Sequence, residues 1–168
     1  MSEQKNLYSE EAINKLQELA EDADIAILTS GLTNLPLSAC PMSTRDVDEH
    51  GHLWFLSTAN SDHNHNIARD NRVQLFYSNH SSSEYLSIYG TAEILKDRTK
   101  IDELWSSMAK TWFNEGKDDP NLTVIKVMPL EAYYWDTKTN KMVSLFKILS
   151  GAITGKENDD GIQGKIFV

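Results

Sequence analysis

Four of the five histidines fall in two pairs separated by one residue, His50-Gly51-His52 and His63-Asn64-His65. On a strand, residues two apart share a face, and such a pair can chelate a metal ion. On a helix each step turns by about 100°, so the same two rings point roughly 200° apart. His63 and His65 follow Ser61, a good helix N-cap, and precede Asn66-Ile67-Ala68-Arg69, which reads as a short helix over about 61–70. On that reading the two rings cannot face one ion. His50 and His52 flank Gly51 in an acidic turn, where solvated histidines are common. No His-Glu-x-x-His run, cysteine partner or spaced carboxylate set completes a metal site, so none is expected.

A helix start is instead suited to an anion. Its free N–H groups and its dipole favour negative charge, and the hydroxyls of Ser57, Thr58 and Ser61 lie just before it. His63 adds a donor, and a positive charge when protonated. The bland alternative is that Ser61 only caps a surface helix, and composition alone favours it.

These residues must be positioned by the elements around them. Ser9, with Glu10 and Glu11 behind it, opens an amphipathic helix over roughly 10–22, where Ala12, Ile13, Leu16, Leu19 and Ala20 recur at helical spacing. Ile25 to Ser30 reads as a buried strand. Leu37 to Thr44 reads as a second, whose Pro41 argues for an edge, an end or a bulge. Asp46 to Gly51 is turn chemistry, and Leu53 to Thr58 a third strand leading into the short helix. Val73 to Ser78 and Tyr85 to Leu95 are strands, the latter with Gly90 marking a bulge or a close backbone approach. Asp97 caps a longer helix with Ile101, Leu104, Trp105, Met108 and Trp112 on or near one stripe, ended by Gly116 and Asp119-Pro120. Leu122 to Trp135 holds at least one strand, broken by Pro129. Met142 to Leu149 is a further strand candidate. Many short strands with added helices amount to a mainly β protein, a small barrel. The 168 residues are expected to form one domain, with a core over about 8–148 and a Gly-rich, charged tail over about 150–168.

Composition narrows the partners. With 25 acidic and 16 basic residues the net charge is −9, and no cationic cluster suits a phosphate backbone, so nucleic acid is not an expected partner. No apolar run is long enough to span a membrane, and the polar, acidic N-terminus is unlike a signal or transit peptide. Cys40 is the single cysteine, which excludes an internal disulfide and fits a reducing cytoplasm.

Read in order, Phe55-Leu56-Ser57-Thr58, Ser61-Asp62-His63, Ile67 and Asp70-Asn71-Arg72-Val73 resemble the pyridoxamine 5′-phosphate oxidase-like flavoproteins. Gly90-Thr91-Ala92 is similar to that family's later Gly-x-Ala strand. Leu104-Trp105, Trp112-Phe113, Gly116 to Pro120 and Ala132 to Asp136 narrow the likeness to the general stress protein 26 branch, over roughly residues 8–148. The resemblance implies a split β-barrel that binds flavin mononucleotide (FMN) at a homodimer interface. It implies that Met42, Ser43 and Thr44 run along the flavin ring and that Ser57, Thr58, Ser61 and His63 surround the phosphate. Trp112 and Trp135 would approach the flavin from the partner chain.

The chain departs from the pattern at the phosphate, where the family usually has lysine and this sequence has Asp62-His63. It also shows no counterpart of the oxidase's C-terminal Trp-Arg-Leu element, which argues against oxidation of pyridoxamine phosphate itself. Three readings of function stay open: a flavin-dependent oxidoreductase taking electrons from a reduced nicotinamide or small substrate, a non-catalytic flavin binder or sensor, and a structural dimer whose cofactor site has decayed. The first has no assigned proton donor, Tyr85 and Tyr134 being the candidates.

Overall fold

Helix α1 (Ser9–Ala23) buries Ala12, Leu16, Leu19 and Ala20, one face at helical spacing, and Asp24 at φ 60° then turns the chain into the sheet. The computed structural model describes residues 9–136 and 141–144. Strands follow as β1 (Ile25–Ser30), β2 (Ser38–Ser43), β3 (Asp46–Val47) and β4 (Leu53–Thr58). After α2 (Asp62–Arg69) come β5 (Arg72–Asn79) and β6 (Glu84–Leu95), then α3 (Arg98–Leu104), β7 (Leu122–Asp136) and β8 (Lys141–Ser144). All pairings are antiparallel, in the order β2-β1-β5-β6-β7-β4-β3, with β8 added beside the far end of β7.

The two edge strands of that order are neighbours in sequence, since only Thr44 and Arg45 separate β2 from β3. The sheet must therefore curl until its ends approach. The closure is seen where Thr44 N–H donates to Asp24 O at 2.8 Å and Arg45 N–H to Trp54 O at 2.8 Å. This is the split β-barrel. Alternate residues fill its interior: Ala26 and Leu28 of β1, Val73, Leu75 and Tyr77 of β5, Leu86 and Ile88 of β6. Phe55 is completely buried among them, a contribution of roughly 1.5–3 kcal/mol.

A second core lies on the outer face, where Trp54, Leu122 and Val124 pack against Ile101, Leu104, Ala109 and Phe113. Here the expected long helix is in two pieces. Asp97 caps α3 through Lys100 N–H, as expected, but the helix ends at Leu104, Trp105 is extended (φ −68°, ψ 134°), and a 3-10 turn covers Ser107–Thr111. Ser106 and Ser107 are poor helix-interior residues, although Ser106 Oγ makes no cap bond, and the break lets Ala109 and Phe113 reach the core. Met108 and Trp112 consequently leave the stripe and stand 76% and 80% exposed.

Two other expectations resolve by pairing. β7 is not broken by Pro129 but runs through it, because Pro129 sits opposite Gly90 at the register shift between Tyr89 and Gly90. A Cβ at Gly90 would overlap the Met128 carbonyl oxygen, which explains the glycine. Pro41 pairs opposite Ile27 on an edge strand, where its missing N–H is tolerated. The expected tail, and residues 145–149 of the last expected strand, lie outside the described residues.

Candidate functional site

The junction between β4 and α2 holds a connected cluster of polar side chains. Ser61 Oγ accepts from Asn64 N–H at 3.3 Å and caps α2, leaving the N–H groups of Asp62 and His63 without an intrahelical acceptor. Helical divergence separates the two histidines as expected, with His65 exposed and His63 half-buried. Behind the cap, Asn64 Nδ2 donates to Thr123 Oγ1 at 3.0 Å. Thr123 Oγ1 donates to the Ser57 carbonyl at 3.2 Å and accepts from Ser57 Oγ at 2.7 Å. The Ser57 hydroxyl is therefore buried and turned inward, tying β4, β7 and α2 together, whereas Thr58 stays half-exposed beside the helix start.

His63 meets Cys40 of β2, with Sγ 3.5 Å from Nδ1. Its other ring nitrogen, Nε2, is buried without a partner among the described residues, as is Asn64 Oδ1. Burial lowers the His63 pKa below the usual imidazole value, and the Asp62 carboxylate only partly opposes this. Burial also pushes the Cys40 thiol up. Both shifts favour the neutral form, and either Sγ or Nδ1 can carry the hydrogen between them.

Next to this pair runs β2, whose second edge has no strand partner among the described residues. Met42 packs on the barrel core. Ser43 Oγ donates to Asp24 at 2.7 Å, and Thr44 Oγ1 lies 2.8 Å from Tyr77 OH. Both hydroxyls are engaged within the protein, so what this stretch offers a ligand is edge backbone. The buried Tyr77 phenol is driven well above its ordinary pKa by desolvation, more than the Thr44 bond restores.

Trp112 and Trp135 do not join this cluster within one chain. Trp135 stands opposite Tyr85 at the end of β7 remote from Thr123, on an outward face that also exposes Ile27 opposite Phe76. The other histidine pair serves a turn: Asp48 accepts from the backbone N–H of His50 and His52 and from Trp54 Nε1, each at 3.0 Å. Among the described residues no group of three or more metal-ligating side chains converges, and no helix is long and apolar enough to cross a membrane.

Sequence reasoning missed Cys40 as the partner of His63 and the Asn64–Thr123 bond. Both link residues far apart in sequence, so no local spacing signals them.

The model of the pyridoxamine 5′-phosphate oxidase like family matches residues 11–159. The chain belongs to this family. Protein bli-3 of Neurospora crassa is 26% identical over 168 residues, covering 91% of this chain and 80% of that protein. General stress protein 26 of Bacillus subtilis is 34% identical over 61 residues, 36% of this chain and 43% of that protein. Among solved structures, a Clostridium acetobutylicum protein related to general stress protein 26 superposes with a TM-score of 0.68 at 21% identity, covering 83% of this chain and 99% of that one. The general stress FMN/FAD binding protein of Xanthomonas citri gives 0.64 at 22% identity, covering 76% and 91%. These structures share the family's split-barrel fold with this chain, and the Bacillus and Clostridium proteins support its place in the general stress protein 26 branch.

Proposed function

We propose that this protein binds FMN as a homodimer, with the cofactor phosphate at the start of α2 and the ring along β2. The observation that carries this reading is His63 Nε2, a buried ring nitrogen without a partner in the first turn of a capped helix. An anion there gives that donor, the two free N–H groups and the Thr58 hydroxyl something to bind. Ser61 and His63 would hold the phosphate, with Ser57 acting from behind through Thr123 and Asn64. Met42, Ser43 and Thr44 would meet the ring with backbone groups. The FMN/FAD binding described for the Xanthomonas relative supports the ligand class. The barrel's outward face supports the dimer, because the large apolar side chains Ile25, Ile27, Phe76, Tyr85 and Trp135 are exposed on it. Trp112 and Trp135 would reach the cofactor from the partner chain.

Flavin supplies two-electron redox chemistry when bound, and the protein's part is to orient it and shield it from water. We assign the chain as an oxidoreductase for a small organic substrate, in the cytoplasm. A non-catalytic binder is the second reading, favoured by the engagement of Ser43 and Thr44 with Asp24 and Tyr77. Purified protein tests the set. Flavin absorbance that bleaches with reduced nicotinamide and returns in air supports the oxidoreductase, and bound flavin that does not bleach supports the binder. A colourless protein that takes up no added flavin overturns both. His63→Ala should weaken FMN more than riboflavin, and equal losses contradict the phosphate role.

A further inference from the structure

We infer that His63 and Cys40 make phosphate binding proton-linked, so that the site takes up a proton with a phosphomonoester and releases the ligand as pH rises. This deepens the flavin reading and rests on it. The geometry is the contact of Cys40 Sγ with His63 Nδ1 at 3.5 Å, together with the unpartnered Nε2. In the tautomer this inference assigns, the neutral thiol donates its one proton to Nδ1, so that the ring hydrogen lies on Nε2 and that N–H is the donor for a ligand. Cys40 is thereby a positioning residue.

The surroundings leave His63 without another source of charge. α2 packs on β1, β2 and β6, and Asn64 ties its first turn to Thr123 of β7. β1 carries no titratable side chain, and β2 carries only Cys40. On β6, Glu84 pairs with Lys15, Tyr85 stands opposite Trp135, Tyr89 interacts with Arg72, and Glu93 stands opposite Lys126. On α2 itself Asp62 is the one acidic neighbour, and His65 and Arg69 are exposed. Burial keeps the free imidazole neutral. A dianionic phosphate placed against Nε2 reverses that balance and favours the imidazolium, whose new Nδ1–H then donates to Cys40 Sγ. A lysine at this position would stay charged throughout the neutral range and would bind the same anion without moving a proton.

Calorimetric titration with FMN at pH 7.5, repeated in buffers of different ionisation enthalpy, counts the protons directly. We expect uptake approaching about one proton with FMN and none with riboflavin. Between the imidazolium pKa of the free site and that of the complex, affinity should fall by up to about tenfold per pH unit, and it should level off above the latter. The comparison runs at pH 7–9, clear of the phosphate's own ionisation near about 6. His63→Lys should bind FMN with no proton uptake and a flat profile, and His63→Gln should bind weakly and equally flatly. Cys40→Val should move the fall in affinity to lower pH, with Cys40→Ser restoring it. FMN binding by the native protein without proton uptake, or with the His63→Lys profile, overturns the inference and leaves the flavin reading intact. No binding of FMN at any pH overturns the flavin reading, and the inference with it.

Discussion

Asn64 Nδ2 donates to Thr123 Oγ1 at 3.0 Å, so one side-chain bond carries the first turn of α2 on the buried start of β7. Thr123→Val keeps the volume but strands both the Asn64 amide and the Ser57 hydroxyl. Leaving buried polar groups unpaired costs about 1–3 kcal/mol. The expected result is a melting temperature lower by roughly 2–12 °C, since each kcal/mol shifts a domain of this size by about 2–4 °C. Differential scanning calorimetry checks it, and FMN affinity should fall in the same variant because the helix start is displaced.

Gly90 and Gly116 make a paired test of the backbone. Gly90→Ala places a methyl into the Met128 carbonyl across a rigid ladder, while the same change at Gly116 meets nothing within 4 Å. Gly116 instead sits at φ +68°, so alanine there costs about 1–2 kcal/mol of backbone strain. Urea unfolding should show a modest drop for Gly116→Ala. Gly90→Ala should cost more, about 3 kcal/mol or beyond, with lost soluble yield.

The strands of the barrel were legible where one face is wet. Val73, Leu75 and Tyr77 alternate with outward residues, and their period alone places them inside. β4 is different: Leu53, Trp54, Phe55 and Ser57 are all buried, because α3 covers the outer face that would otherwise be solvated. Without alternation, nothing in Leu53–Thr58 says that the Ser57 hydroxyl turns inward to Thr123. Ser61 was readable as a cap because capping is local, within three residues. The Cys40–His63 contact joins a strand to a helix across 23 residues and depends on how the barrel closes. The broken α3 escaped because Ile101, Leu104, Trp105, Met108 and Trp112 keep helical spacing in sequence although the chain does not keep the helix.

Asp48 gives a pH test of stability. Burial alone would raise its pKa, but the bonds from Trp54 Nε1, His52 N–H and His50 N–H, with the nearby His52 ring, outweigh it and hold the carboxyl below the usual range. A group with a depressed folded pKa stabilises fully above its unfolded pKa, near about 4, and loses that contribution as pH falls through the folded value. Asp48→Asn sets an amide donor against the Trp54 indole or the His52 side. It should lower stability by about 1–2 kcal/mol at pH 7, the low end for a charged hydrogen bond in a solvent-screened position. Urea midpoints measured from pH 7 down to 3 should converge for the two proteins, and a constant gap would contradict this role of the carboxylate.

Phe76 stands opposite Ile27 in the middle of the outward apolar face and is 46% exposed. A charge there is tolerated by a lone barrel and not by two faces pressed together. Phe76→Glu should leave the fold intact by circular dichroism and shift the mass in light scattering from dimer to monomer. If the proposed site is completed across that interface, FMN affinity should fall with it. A monomeric native protein with full FMN affinity would remove the interface from the proposal.

Trp105 and Trp112 separate packing from ligand contact. Trp105 joins the second core, its ring 6.0 Å from that of Phe113, whereas Trp112 is 80% exposed. Trp105→Ala should therefore destabilise by roughly 1–3 kcal/mol, while Trp112→Ala should stay within about 0.5 kcal/mol of the native protein. If Trp112 meets the cofactor of the partner chain, its loss weakens flavin binding at unchanged stability and removes its quenching of flavin fluorescence. Equal affinity and fluorescence in Trp112→Ala and the native protein would assign the exposed ring to another surface. The contrast is informative because both residues sit on one expected helical stripe, and only the break after Leu104 gives them different environments.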